Sequence, residues 1–348
     1  MNNIVIVGAG ILGLTNALYI IENLPNVNIT IISELGPNDP SSLLNFKYAS
    51  SWAGAHFRPF PSRNKQDIRE MKMTRETYKY FKSLNLDCVK LIKGIELLEN
   101  PDNHYSNVLY GYSEEIENFK QLSKGKFEYD TWVVNPSVYL PYLYEKLKND
   151  GVKFINKKLE SLNQINEIVS GYHIIINCSG MGLQFNGGYD KDSYSIRGQT
   201  LLISPPENSQ YWRKTITYQL LYGSWIFNIP RFPNDGIILG GTKQIEDTYD
   251  NIRDEDTEKL LKLGSKYFPD LMKTKGNGEK YFDIKRVNLG FRPARIGGLN
   301  TSIDLKNKNI VLNCYGAGGM GYELSYGAAK RVFENLKSVL NLNSDTKL

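Results

Sequence analysis

The chain has 348 residues, 41% of them hydrophobic, with a mean hydropathy of -0.39 and a formal net charge of +5. At roughly 150 residues per domain, that length makes about two domains with real cores. The 30 glycines and 14 prolines exclude collagen-like and low-complexity chains, no apolar run reaches bilayer-spanning length, and the dispersed lysines and arginines leave no nucleic-acid footprint.

The stretch Met1–Leu14 is apolar but lacks a basic leader and a small-residue cleavage site. It reads as a buried parallel strand, Asn3–Val7, running into a glycine loop, and the chain is expected to stay intracellular with reduced thiols. A helix follows the loop over about Ile11–Leu24, then a strand at Val27–Ser33. Loop-rich sequence around Arg58, Pro59 and Pro61 leads to an amphipathic helix over about Lys65–Leu84, and a mixed strand region extends to about Val134. Asn135 and Pro136 suit the cap and first position of a helix, Pro136–Asn149, which Gly151 closes.

Strands are expected at Lys153–Asn156 and Tyr172–Asn177, followed by the turn Cys178-Ser179-Gly180. Further strands are expected at Gln199–Ser204, Ser224–Pro230 and Ile237–Gly241, then a helix over about Asp254–Phe268. A last strand, Ile310–Cys314, meets the glycine-rich turn Tyr315–Gly319 and a helix over about Met320–Leu340. Strand, glycine loop and helix thus recur at both ends, with a strand-rich middle. The expected fold is α/β: a Rossmann-like nucleotide-binding domain built from separated segments, interleaved with a mixed-sheet substrate domain. The expected boundaries are 1–55, 145–195 and 299–348 for the first domain and 56–144 and 196–298 for the second.

Cys88, Cys178 and Cys314 are too few and scattered for a disulfide framework or a cysteine-based zinc site. His56, His104 and His173 share no metal-ligand spacing, so no metal is expected. The C-terminal Thr346-Lys347-Leu348 is close to an S-K-L peroxisomal tripeptide with Thr in place of Ser, and the expected compartment is the peroxisome, otherwise the cytoplasm.

Gly8-Ala9-Gly10-Ile11-Leu12-Gly13 fits G-x-G-x-x-G directly after a strand and at the start of a helix. Gly8 permits the tight turn, Gly10 lets backbone approach a pyrophosphate, and Gly13 lets helix and strand pack closely. Free N–H groups and the positive end of the helix dipole then face the anion. Glu34, at the end of the second strand, is placed to hold ribose hydroxyls. The motif implies an adenine dinucleotide and does not separate FAD from NAD.

Seven segments in order resemble the D-amino-acid oxidase family of flavoproteins, its fungal members above all. They are Val5–Leu18, Tyr48–Pro61 (YASSWAGAHFRPFP), Asn177–Gly182, Ile196–Ile203 (IRGQTLLI), Ile229–Thr242, Asn288–Gly298 (NLGFRPARIGG) and Tyr315–Ala329 (YGAGGMGYELSYGAA). The resemblance implies non-covalent FAD and oxidation of the Cα–N bond of D-amino acids to an imine, with oxygen reoxidising the flavin to give hydrogen peroxide. The implied partners are a small D-amino acid and oxygen, with no nucleic acid and no membrane; the oligomeric state is open.

The same resemblance implies the site. Arg292 matches the arginine that clamps the substrate carboxylate, through two parallel charge-assisted hydrogen bonds, while Arg295 is read as structural. Ser50, Ser51, Gly54, Ala55 and His56 are implied FAD contacts, His56 as a neighbour of the flavin and not as a base. Leu159 is implied at the adenosine end through its backbone, with Ser179 and Gly180 in the turn nearby. Gly318, Gly319, Met320, Gly321, Tyr322 and Glu323 lead into the last helix, whose N-terminus would stabilise negative charge on the reduced flavin; Gly319 is counted with the substrate site.

Two positions depart from the family pattern. Phe227 stands where a tyrosine is common, so a hydroxyl on the carboxylate is missing, with Tyr218 and Tyr222 as conceivable replacements. Lys243, after Gly241-Thr242, stands where the D-aspartate oxidase branch has a cation that reads a side-chain carboxylate; a buried lysine there would need an anion. The function expected is an FAD-dependent D-amino-acid oxidase with acidic substrates preferred. The alternatives are neutral D-amino acids, an oxidase of glycine- or sarcosine-like amines, and a flavin-binding paralogue with altered or lost activity.

Overall fold

The computed structural model describes residues 2–101, 112–306 and 309–345. His104 and Thr346-Lys347-Leu348 lie outside them. In chain order the first elements are β1 (Asn2–Val7), α1 (Ile11–Asn23), β2 (Val27–Ser33), α2 (Pro40–Leu43), α3 (Lys65–Ser83), β3 (Val89–Leu98), β4 (Lys120–Ser123), β5 (Lys126–Val134), α4 (Pro136–Asn149), β6 (Lys153–Asn156) and β7 (Ile174–Asn177). They continue with β8 (Ser193–Ile203), β9 (Lys214–Gln219), β10 (Trp225–Arg231), β11 (Gly236–Gly240), β12 (Gln244–Ile245), α5 (Asp254–Tyr267), β13 (Lys273–Thr274), β14 (Lys280–Tyr281), β15 (Ile284–Arg295), β16 (Ile303–Lys306), β17 (Asn309–Asn313) and α6 (Gly321–Asp345). The fold is mixed α/β.

The chain forms two compact units. The first comprises Met1–Ser51, Ser137–Ser195 and Arg292–Leu348, the second Trp52–Pro136 and Ile196–Phe291. In the first, a six-stranded sheet has the order β16-β17-β7-β1-β2-β6. All its neighbours are parallel except β16, which is antiparallel to β17. Its central strands read as unbroken apolar runs because both faces are buried: Ile4 to Val7 and Ile174 to Ile176 are all buried. One face joins a cluster of Val5, Val7, Ile32, Ile175 and Val311 with Leu159 and Leu162. Helix α1 packs on α6, with the ring of Tyr19 5.1 Å from that of Tyr326 and 5.4 Å from that of Phe333.

The second unit carries a sheet of order β12-β8-β11-β10-β9-β3-β5-β4, with β15 also paired to β8. Along that order the pairs are antiparallel except β3 with β9. Helix α5 covers one face, where Leu260 and Phe268 join Leu201, Ile216, Ile226 and Leu239. The other face gathers Val133, Leu202, Ile229 and Ile238, with Phe227 against them.

Ser137–Tyr144 and Arg292–Gly298, expected in the substrate domain, belong to the first unit instead. Arg295 is ion-paired to Asp190 and Asp192 there, and Ala294 bridges Ala317. Residues 52–55 fall in the second unit, where the Val134 amide donates to the Ala55 carbonyl at 2.8 Å. Strand β15 went unread because Lys285, Arg286 and Pro293 interrupt its apolar pattern.

Candidate active site

In the first unit the expected cofactor residues gather beyond the carboxyl ends of the parallel strands, where open α/β sheets bind ligands. Gly8 follows β1, Glu34 follows β2, Leu159 lies three residues past β6, and Ser179 and Gly180 follow β7. Gly8 has φ +103°, and a Cβ there would stand 2.4 Å from the Cys178 carbonyl oxygen; a Cβ on Gly13 would stand 1.9 Å from the Gly8 carbonyl oxygen. Both positions therefore require glycine, and the tight turn between them aims the first turn of α1 outward. No acidic side chain stands in that turn to compete with an anion.

Ser50 meets the helix start: its Oγ accepts from the Ile11 amide at 3.0 Å and keeps its own proton to donate. Beyond Ile11, Leu12 and Gly13 lack helical carbonyl partners for their N–H groups. Two donors and a hydroxyl without a competing carboxylate fit a pyrophosphate, so the residues present suit a dinucleotide. Glu34 is exposed at the end of β2, open to ribose hydroxyls. The Ser51 hydroxyl donates to the Tyr48 carbonyl at 3.0 Å. Ser179 is committed too: its hydroxyl donates to Asn177 at 2.7 Å and accepts from the Leu183 amide at 2.7 Å. Only the backbone of Ser179 and Gly180 is left for a ligand. Leu159 is buried in the core, so it also offers backbone.

Sequence reading missed Tyr48. Its hydroxyl donates to the Ala9 carbonyl at 2.6 Å and so holds the glycine loop from behind. The Tyr322 hydroxyl similarly reaches the Ser50 carbonyl at 3.1 Å, tying α6 to the same segment.

Arg292 sits near the end of β15 in the first unit. Its Cδ lies 3.6 Å from where a Cβ on Gly319 would stand. Gly318–Met320 form a single 3-10 turn that leads into α6, so the guanidinium stem flanks a helix start. Burial pulls the Arg292 pKa down to about 10, still far above neutrality. Glu323 in the first turn of α6 partly offsets the positive end of the helix.

In the second unit Gly54, His56, Phe227 and Gly240 come together. A Cβ on Gly54 would stand 4.0 Å from Phe227 Cε2, and one on Gly240 2.6 Å from Phe227 Cζ. The rings of His56 and Phe227 stack with centroids 6.4 Å apart. Ala55 holds φ +52°, a left-handed conformation that costs a non-glycine residue roughly 1 kcal/mol or more. The His56 Nδ1 is enclosed without a hydrogen-bond partner. Desolvation, with the nearby Arg58 charge, lowers its pKa to about 3.

Tyr218 does not share the face of Phe227. Phe227 pairs with Thr217 and Ile226 with Tyr218, so alternation puts Tyr218 on the opposite face, where it packs against Tyr267 and Phe268. Tyr222 is fully exposed on a turn. Lys243 is exposed as well, so the buried ammonium considered from sequence is not found. Trp225, another residue the sequence did not flag, donates from Nε1 to the Gly241 carbonyl at 2.7 Å and fixes the strand end before Lys243. Among the described residues no three His, Cys, Asp or Glu side chains converge as a metal site.

The family described as DAO, FAD dependent oxidoreductase, matches residues 3–334. D-aspartate oxidase of Talaromyces thermophilus is 34% identical over 94% of this chain and 93% of its own length. D-amino-acid oxidase of Schizosaccharomyces pombe is 30% identical over 94% of each. Among solved structures, glycine oxidase from Geobacillus kaustophilus overlays with a TM-score of 0.70 at 13% identity, over 96% of this chain and 94% of that one. L-proline dehydrogenase from P. horikoshii gives 0.68 at 16% identity, over 97% and 93%. These overlays carry the fold; the sequence matches and the dinucleotide cradle carry the cofactor, and the chain belongs to the DAO family of FAD-dependent oxidoreductases.

Proposed function

We propose that the protein is an FAD-dependent oxidase of D-amino acids, with acidic ones such as D-aspartate preferred. The observation that carries this reading is Arg292, a half-buried arginine whose stem lies beside Gly319 at the turn into α6. Bound FAD supplies the hydride acceptor, and dioxygen restores it with release of hydrogen peroxide. Arg292 binds the α-carboxylate with two parallel charge-assisted hydrogen bonds. Its partial burial strengthens that hold relative to open water, and the two-point grip fixes the direction of the Cα–H bond. The substrate amine is neutral, so the α-hydrogen leaves with its electron pair and the nitrogen loses a proton to give the imino acid. No side-chain base is required, in keeping with His56, whose pKa near 3 makes it a poor proton acceptor. The acidic preference is supported by the likeness to a D-aspartate oxidase and by the cation at Lys243.

The test is anaerobic addition of single substrates to the yellow holoenzyme. Bleaching by D-aspartate well ahead of D-alanine is expected. Bleaching by glycine or sarcosine alone, or by none of them, would overturn the reading.

A further inference from the structure

Strand β15 ends on two arginines that serve opposite faces. Alternation puts Arg292 with Ala294, and Pro293 with Arg295. The neighbours follow suit: a Cβ on Gly318 would stand 3.5 Å from the Ala294 Cβ, whereas one on Gly316 would stand 2.6 Å from the Arg295 Cβ. Arg295 donates from Nε to Asp190 Oδ2 at 2.8 Å and from Nη2 to Asp192 Oδ2 at 3.0 Å. Asp190 Oδ2 also accepts from the Tyr315 hydroxyl at 2.7 Å. Backbone bonds reinforce the knot: the Ile296 amide donates to the Asp192 carbonyl and the Gly316 amide to the Gly180 carbonyl, while Ala294 bridges Ala317. The loop after β7, the end of β15 and the turn after β17 are thus tied at one cluster, all within the first unit.

We propose that Arg295, Asp190 and Tyr315 form a positioning device that presets Arg292 as the carboxylate clamp. The inference rests on the reading of Arg292 above and goes beyond it. A clamp three residues from a bidentate anchor is ordered during folding, so binding does not have to order it. Because Arg295 is occupied by two carboxylates, it does not compete for the substrate anion. Asp190 and Arg295 touch no substrate in this scheme; they act through the backbone that carries Arg292.

The test uses the FAD-loaded enzyme and the variants Asp190→Asn, Arg295→Met, Arg295→Lys, Tyr315→Phe and Arg292→Ala. Readouts are kcat and KM for D-aspartate, binding of succinate followed by the flavin spectrum, FAD retention and melting temperature. Asp190→Asn and Arg295→Met should raise KM and weaken succinate about tenfold to a hundredfold, the penalty of a misplaced positioning group, with kcat less affected and FAD retained. Arg295→Lys, which keeps one ion pair, should recover part of the loss, and Tyr315→Phe should show a smaller loss in the same direction. A lower melting temperature with KM and succinate binding unchanged would overturn the positioning role. Arg292→Ala separates the two ideas. If it leaves succinate binding intact, the clamp itself is misassigned; if it abolishes binding while the cluster variants do not, only the positioning device falls.

Discussion

The phenol of Tyr48 donates to the Ala9 carbonyl across 2.6 Å, with both residues buried in the first unit. Ala9 is the second residue of the glycine loop, so this bond holds the turn that aims the α1 amides. Burial pushes the Tyr48 pKa well up, which keeps the hydroxyl a donor at any working pH. Tyr48→Phe would leave a buried carbonyl unsatisfied at a cost of about 1–3 kcal/mol. The expected result is FAD affinity lowered about tenfold or more in a fluorescence titration of the apoenzyme, with the fold retained. Unchanged affinity would show that the loop keeps its shape without the phenol.

Arg292→Ala should remove the carboxylate fork and leave the dinucleotide cradle intact. Charge-assisted pairs in dry surroundings are worth about 2–5 kcal/mol, so kcat/KM for any D-amino acid should fall by roughly 30-fold to several thousandfold. Arg292→Lys keeps the charge but loses the planar fork, and should fall in between. Steady-state oxygen uptake measures both. An Arg292→Ala enzyme within a few fold of wild type would rule out the clamp.

The glycine loop and its flanking elements were legible because β1, α1 and β2 follow local rules: an apolar run, glycines at fixed spacing, and a helix start. Strand bounds at Val27–Ser33 and Lys153–Asn156 match for the same reason. Strand β15 was not legible, since Pro293 and its charged neighbours erase the strand pattern while pairing with β8 supplies the stability. Tyr218 shows a different limit. Sequence offered it as a substitute hydroxyl, but only the register of β9 against β10 reveals that it points the other way. Tyr48 lay inside a recognised segment, yet its role depends on a contact 39 residues away in sequence.

His56 predicts a pH dependence of stability with a definite sign. Its usual pKa of 6.5 is lowered to about 3, chiefly by desolvation. The unfolded chain therefore takes up a proton near pH 6.5 that the folded protein refuses, so this stabilisation is full above that pH and is lost as pH falls. One proton gives a slope of at most about 1.4 kcal/mol per pH unit, less here because the ring as a whole is only half-buried. Denaturant melts of wild type and His56→Asn should diverge between roughly pH 6.5 and 4.5, the variant showing the shallower loss. The carboxylates held below their ordinary range, such as Asp190 and Asp247, titrate lower and cancel between the two proteins. Parallel curves would mean that the folded protein protonates His56 readily.

On the proposed reading, Lys243 is the cation that meets an acidic side chain. It is exposed, so its attraction for a side-chain carboxylate is that of a solvated pair, about 1 kcal/mol or less, and not that of a buried ammonium. Lys243→Met should therefore lower kcat/KM for D-aspartate by about fivefold while leaving D-alanine within twofold, a modest change in ratio and not an inversion. Because exposed pairs are screened, the wild-type preference should also shrink between low salt and about 0.5 M salt, and the variant should show no such dependence. An equal effect of the substitution on both substrates would mean that the cation does not read the side chain, and the proposal of an acidic preference would lose that support.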